Sequence, residues 1–211
     1  MTFKEEINNL ENLNFNNDYI IKKGTIPILF TAPHTMMQLR EDGTVKLSEP
    51  YTKAIALYLN KYSNVNCMIK INDTGLDPNI DNHDKFKTEL IRFIKKENIK
   101  LVIDLHGSKR SRNYDIEFGT LNNISADFST IKELEEAFTE NGIPNIIHND
   151  PFKGGAITQY IYNLIDVDVI QLEINKKYRD NNNIENLELL CKCFEIFIKQ
   201  YNEYINKKHN K

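Results

Sequence analysis

Two short apolar segments of the sequence end in residues that could bind a metal ion. In Phe30–His34, Pro33 fixes the backbone immediately before the imidazole. In Val102–Gly107, Asp104 and His106 are two positions apart, so on a strand they would project from the same face. The glycine that follows would leave room for a ligand. The carboxylate could bind the ion or orient the imidazole, and a purely structural Asp–His hydrogen bond is the alternative.

A third segment carries a candidate proton acceptor. In Val169–Asn175, Gln171 and Glu173 alternate with apolar residues and therefore share one face. A carboxylate in a central parallel strand requires a polar environment, such as a cleft at the end of the strand. Partial burial there would raise the pKa of Glu173 and suit it to act as a general base. An edge strand with one solvated face is the alternative interpretation.

Two histidines and one carboxylate match the ligand set of a catalytic zinc site with an open position for water. Glu49 is the first candidate for the third ligand, because it follows the His34 loop. We expect Ser48 to cap a helix that begins at Glu49, where a carboxylate would in any case favour the helix dipole. Gln38 and Glu41 compete with Glu49 for this role.

Strands and helices alternate along the chain, which predicts a mostly parallel mixed sheet covered on both faces, a three-layer α/β/α fold. The carboxyl ends of such strands are the usual place for a ligand, so the fold would bring the three segments together. The predicted strands are 26–31, 67–71, 100–106, 114–118, 145–148 and 167–174; helices are predicted to begin at 49 and to cover 84–96, 129–141, 157–165 and 184–205.

Composition narrows the class of protein further. The 211 residues carry a net charge of −3 and predict a single domain over 1–211, with residues 1–18 as a candidate N-terminal extension. The absence of a basic surplus argues against nucleic acid as the main partner. No apolar run is long enough to span a membrane, and the N-terminus does not resemble a signal peptide. Three cysteines without a disulfide framework favour a reducing cytoplasm, while the oligomeric state stays open.

Four motifs carry a family resemblance: APHTM at 32–36, IDLHG at 103–107, PFKGG at 151–155, and QLEIN followed by YR at 171–179. In this order they resemble the N-formylglutamate amidohydrolase family, which is similar in fold to zinc carboxypeptidases and aminoacylase-like deacylases, the zinc-exopeptidase-like folds. The resemblance runs from about residue 26 to the C-terminal helix. It implies one zinc ion held by His34 and His106, with Glu173 as the base. Glu49 is the nearest match to the family's remaining acidic ligand, and Met37 occupies the position of the carboxypeptidase glutamate.

The candidate metal site together with the resemblance implies a zinc-dependent hydrolase that cleaves the amide bond of an N-acyl amino acid or a short peptide. A substrate carboxylate would need a cationic partner, which the fork of an arginine supplies best. A non-catalytic binding protein with a degraded metal site is one alternative. A metal-independent hydrolase that uses the Asp104–His106 pair as its base is another. The candidate arginines are Arg110 and Arg112, which directly follow the His106 strand, and then Arg40 and Arg179.

Overall fold

A mixed seven-stranded sheet is the central element of the computed structural model, which describes residues 1–40, 42–81 and 84–209. The order across the sheet is β1-β5-β2-β6-β9-β7-β8. The four strands from β5 to β9 in this order are parallel, and β1 and β7 are antiparallel to their inner neighbours. The strands are β1 (Tyr19–Lys22), β2 (Ile26–Ala32), β5 (Val65–Lys70), β6 (Leu101–Ser108), β7 (Ile116–Gly119), β8 (Ile146–His148) and β9 (Asp168–Asn175); a separate hairpin pairs β3 (Gln38–Leu39) with β4 (Val45–Lys46).

Helices cover both faces of this sheet. One face packs against α2, α4 and α6, with α1 lying on α2; the other packs against α3 and α5. The predicted three-layer α/β/α fold with a mostly parallel mixed sheet is therefore confirmed. Among the described residues, no helix is both long enough and apolar enough to cross a membrane. The helices are α1 (Phe3–Glu11), α2 (Thr52–Ser63), α3 (Lys85–Lys96), α4 (Phe128–Thr139), α5 (Ala156–Leu164) and α6 (Ile184–His209).

The central strand β6 shows how the sequence places polar groups at one edge of the sheet. Ile103 and Leu105 are fully buried on the face covered by α2 and α6. On the opposite face, Val102 packs with the α3 and α5 core, and the next two side chains on that face are Asp104 and His106. The apolar core of this face therefore ends before the carboxyl end of the strand, which leaves a polar site there.

The helix predicted to begin at Glu49 begins instead at Thr52. Tyr51 has a φ of 69°, a left-handed conformation that is incompatible with a continuing helix. Glu49 therefore precedes the helix rather than lying in its first turn, and Ser48 is not its N-cap. Sequence reasoning also missed α1, β1 and the short β3–β4 hairpin.

Candidate metal centre

His34, Glu49 and His106 lie together at the carboxyl end of the sheet. Their nearest ligand atoms all lie within 4.8 Å of one another, and all three side chains are buried. The Nδ1 atoms of the two imidazoles are 3.1 Å apart. Oε1 of Glu49 lies 3.3 Å from Nδ1 of His34, and Oε2 lies 3.5 Å from Nδ1 of His106. Three donor atoms thus surround one point, as a four-coordinate ion with one open position requires.

A second carboxylate holds each imidazole from behind. Nε2 of His34 lies 2.8 Å from Asp77 Oδ1, and Nε2 of His106 lies 3.0 Å from Asp104 Oδ2. In both rings the Nε2–H donates to the carboxylate, so in the neutral imidazole each Nδ1 presents a lone pair to the centre. Two ring nitrogens 3.1 Å apart need a cation between them, either a proton or a metal ion. The donor set therefore fits a divalent metal ion, and it has the arrangement by which proteins orient metal-binding histidines.

The two aspartates are themselves fixed in place. The hydroxyl of Thr31 donates to Asp104 Oδ1 at 2.5 Å. Arg40 binds Asp77 Oδ2 with two donors, Nε at 2.9 Å and Nη2 at 2.7 Å. Sequence reasoning included Asp104 as an orienting residue but did not include Asp77, which lies in the loop between β5 and α3.

Burial and charge act in opposite directions on the ionisable groups of the centre. Burial alone would lower the pKa of His106, but the carboxylates of Asp104 and Glu49 raise it well above its ordinary value. Burial alone would raise the pKa of Glu49, but the two imidazoles hold that pKa well below its ordinary value. The pKa of Asp77 is likewise lowered, mainly by His34, against the effect of burial. The carboxylates therefore favour positive charge at the centre.

Glu173 lies beside the centre on the neighbouring strand. In the sheet register it pairs with His106, and its side chain is 8% exposed. Gln171 donates to its Oε1 at 3.0 Å, which leaves the other oxygen available. Burial raises the pKa of Glu173, partly offset by the positive charge of His106. A carboxyl group with a raised pKa next to the three donors is suited to proton transfer.

Three of the four candidate arginines are already bonded to the protein. Arg40 is held by Asp77, and Arg110 forms an ion pair with Asp180 at 2.7 Å. Arg179 is buried and donates to backbone carbonyls, including that of Pro50 at 2.7 Å. The exposed Arg112 lies over the ring of Phe152 at 5.2 Å and has no ion pair within the described part of the chain.

The space beside Gly107 does not serve a ligand, contrary to our expectation. A Cβ added at this position would lie 2.1 Å from Nη2 of Arg179, so the guanidinium fills the space.

The other candidates for the third ligand position are Gln38 and Glu41, and the cluster that the described residues form consists of His34, Glu49 and His106. Gln38 is buried, but its amide donates to the carbonyl of Pro33 at 3.0 Å, and Glu41 lies outside the described residues. Met37 is 60% exposed.

The fold and the centre together define a three-layer α/β protein with a buried His–Glu–His cluster at the carboxyl end of a mixed sheet. The model of the N-formylglutamate amidohydrolase family matches residues 81–178, which confirms the resemblance found in the motifs. The match covers Asp104, His106 and Glu173, whereas His34 and Glu49 precede it. That family consists of amidohydrolases, enzymes that act on C–N bonds.

Several solved structures share this fold. N-formylglutamate amidohydrolase from Ralstonia eutropha JMP134 is 14% identical with a TM-score of 0.62, covering 90% of this chain and 99% of that one. A bacteriophage poly-gamma-glutamate hydrolase is 16% identical with a TM-score of 0.59, covering 94% and 96%. A protein from Agrobacterium tumefaciens is 13% identical with a TM-score of 0.63, covering 90% and 97%. No curated protein sequence matches the chain. At these identities the likeness is one of fold.

Proposed function

We propose that this protein is a zinc-dependent amidohydrolase that cleaves the amide bond of an N-acyl amino acid or a short peptide. The observation that carries the proposal is the orientation of the two imidazoles. Each is held at Nε2 by a buried aspartate and turns Nδ1 towards the carboxylate of Glu49. His34, Glu49 and His106 would hold the ion. A bound zinc ion would polarise the acyl carbonyl and lower the pKa of a water molecule.

Glu173 is the residue we assign to proton transfer. Its raised pKa and its position beside His106 allow the carboxylate to accept a proton from the attacking water. The same carboxyl group would then return that proton to the amine nitrogen as the C–N bond breaks. Gln171 fixes one carboxylate oxygen through its amide, so proton transfer falls to Oε2.

Arg112 is the group we assign to the carboxylate of the substrate. Its guanidinium lies over Phe152, whose backbone N–H donates to Glu117 at 2.5 Å. Glu117 in turn pairs across the strands with Glu173. These contacts place the guanidinium of Arg112, which has no ion pair among the described residues, in the neighbourhood of the proposed base. Arg40, which binds Asp77 through two donors, and Arg179, which binds backbone carbonyls, would instead hold the centre in place. Arg110 keeps its ion pair with Asp180.

We also propose a cytoplasmic location. The three cysteines are free and buried, which agrees with a reducing compartment.

The test compares wild type with Glu173→Gln for zinc content and for hydrolysis of N-formyl amino acids, N-acetyl amino acids and short peptides. We expect one zinc per chain in both proteins and a loss of at least about 100-fold in turnover in the variant. Glu188→Gln, an exposed change on α6, is the matched control and should keep full turnover. Unchanged turnover in Glu173→Gln would remove the base role. Absence of both zinc and hydrolysis in the wild type would overturn the proposed function.

A further inference from the structure

The metal-binding residue Glu49 belongs to a segment, Glu49–Tyr51, that lies outside every helix and strand. Distant parts of the chain hold its backbone. The N–H of the first residue donates to the carbonyl of His34 at 2.8 Å. The carbonyl of the second accepts from Arg179 at 2.7 Å, and the N–H of the third donates to Glu11 at 3.0 Å. The position of the Glu49 carboxylate therefore depends on contacts that are remote in sequence.

Glu11 is the one of these partners that comes from α1. Its Oε1 accepts from the N–H of Tyr51, and its Oε2 accepts from the N–H of Ala54 at 3.2 Å. The first N–H groups of a helix have no partner within the helix, and an adjacent side chain usually caps them. Here Tyr51, the residue at the N-cap position of α2, makes no such bond. The last residue of α1 therefore supplies the cap of α2, and its negative charge also favours the positive end of the helix dipole.

The rest of α1 is firmly attached to α2, which makes this cap rigid. Ile7 is fully buried in the core, and the ring of Phe3 packs edge-on against Tyr58 at 5.3 Å. Glu6 forms an ion pair with Lys61 at 2.6 Å, near the opposite end of α2. Glu11 thus reaches the start of α2 from a helix that is anchored along its length.

We propose that Glu11 is a positioning residue for the metal ligand Glu49. By binding the N–H groups of Tyr51 and Ala54 it fixes the left-handed turn at Tyr51, where the chain changes from the ligand segment into α2. The turn then sets how closely the Glu49 carboxylate approaches the two imidazoles. The inference rests on the proposed metal centre. It assigns α1, in the N-terminal region outside the family match, a role in the site.

The experiment measures zinc affinity in Glu11→Ala, Glu11→Gln and wild type by competition with a chromophoric chelator, at a temperature where each protein is folded. We expect about tenfold weaker zinc binding in Glu11→Ala, the lower end of the range for residues that orient metal ligands. The loss should be smaller in Glu11→Gln, because the amide oxygen still accepts one hydrogen bond. Amide hydrogen exchange at Tyr51 and Ala54 should become faster in both variants.

Glu6→Gln is the matched control, because it weakens the attachment of α1 at the other end of α2. We expect its zinc affinity to stay within about twofold of wild type, because Lys61 is about half exposed and the ion pair does not contact the Glu49 segment. Unchanged zinc affinity in Glu11→Ala would overturn the inference, and so would an equal loss in Glu6→Gln, which would show that α1 acts through general stability. If Glu11→Ala does not fold, Glu11→Gln decides by the same criteria. Absence of zinc binding in the wild type would overturn both this inference and the proposed function.

Discussion

Replacing Asp104 by asparagine tests whether the buried aspartates orient the imidazoles for a metal ion. The change keeps the size of the side chain and removes its charge. Thr31 donates its hydroxyl to Oδ1, so an asparagine that keeps its oxygen there must turn its NH₂ group towards His106. Nε2 of the imidazole would then have to accept rather than donate. The ring proton would move to Nδ1, the atom that faces Glu49, and the lone pair needed for the metal would be lost.

The expected size of the effect follows from this geometry. Removing a residue that orients a metal-binding histidine typically weakens metal binding by about 10- to 100-fold, or about 1.4–2.7 kcal/mol. Asp104 is fully buried, and its bond to Nε2 of His106 is 3.0 Å long, so water cannot readily replace it. We therefore expect Asp104→Asn to lie in the upper half of the range. Asp77→Asn should behave alike, because Arg40 fixes its other oxygen as Thr31 does for Asp104.

Zinc affinity, measured by chelator competition, is the assay, with circular dichroism to establish that the variants are folded. Asp168→Asn is the matched control. This aspartate is also hydrogen-bonded, to the N–H of Asp127 at 3.0 Å and to Thr130 at 2.7 Å, but it lies at the opposite end of β9 from Glu173. A zinc dissociation constant for Asp104→Asn within about twofold of wild type would refute the reasoning, because it would show that the ligand orientation does not depend on this carboxylate.

Two further predictions concern stability. Gly107→Ala should lower the free energy of unfolding by about 2 kcal/mol in urea titrations, because its Cβ would meet the buried Arg179; an unchanged value would show that the guanidinium can move aside. Lys87→Met should raise it by about 1 kcal/mol at neutral pH, because the buried Nζ has no hydrogen-bond partner among the residues that the structure describes. Burial lowers the pKa of Lys87 below its unfolded value, so the wild type should gain stability as the pH rises between these two values. The advantage of the variant should shrink over that range, and a constant difference would contradict this account.

The sequence was informative wherever the side chains of the site belong to strands. A period of two places Asp104 with His106, and Gln171 with Glu173. Parallel pairing then brings His106 opposite Glu173. The alternation of residues and the geometry of the sheet are sufficient to place these four side chains, because their placement depends only on strand direction and register.

The sequence was less informative where loops supply the contacts. Asp77 lies in a loop that has no periodic pattern, and its role depends on meeting His34, forty-three positions earlier in the chain. The turn at Tyr51 has a left-handed conformation that few residues other than glycine or asparagine favour, so the helix was predicted to begin too early. Helix α1 begins with a capping box formed by Thr2 and Glu5, a local signal that the sequence reasoning overlooked, whereas its packing on α2 is visible only in the structure.

The partners of the candidate arginines could not be predicted from the sequence either, but for a different reason. Sequence proximity to the site ranked Arg110 and Arg112 together, but an ion pair with Asp180 distinguishes the first from the second. Arg179 uses its donors on backbone carbonyls, and no sequence pattern marks a carbonyl as an acceptor. The partner of a long side chain is set by the tertiary fold, so its role becomes visible only in the structure.

The charges around the centre bear on why so many contacts hold its three candidate ligands. Glu49, Asp77 and Asp104 are buried carboxylates within reach of two imidazoles. Burial alone would raise the pKa of Glu49 and of Asp77. Asp104 and Glu49 raise the pKa of His106 well above its ordinary value, against the effect of burial, and so favour a proton on the imidazole. A proton and a divalent ion therefore compete for the same lone pairs. A metal ion would therefore bind best where the donor atoms are held in place before it arrives, and the hydrogen-bonded backbone of the Glu49 segment supports such an arrangement.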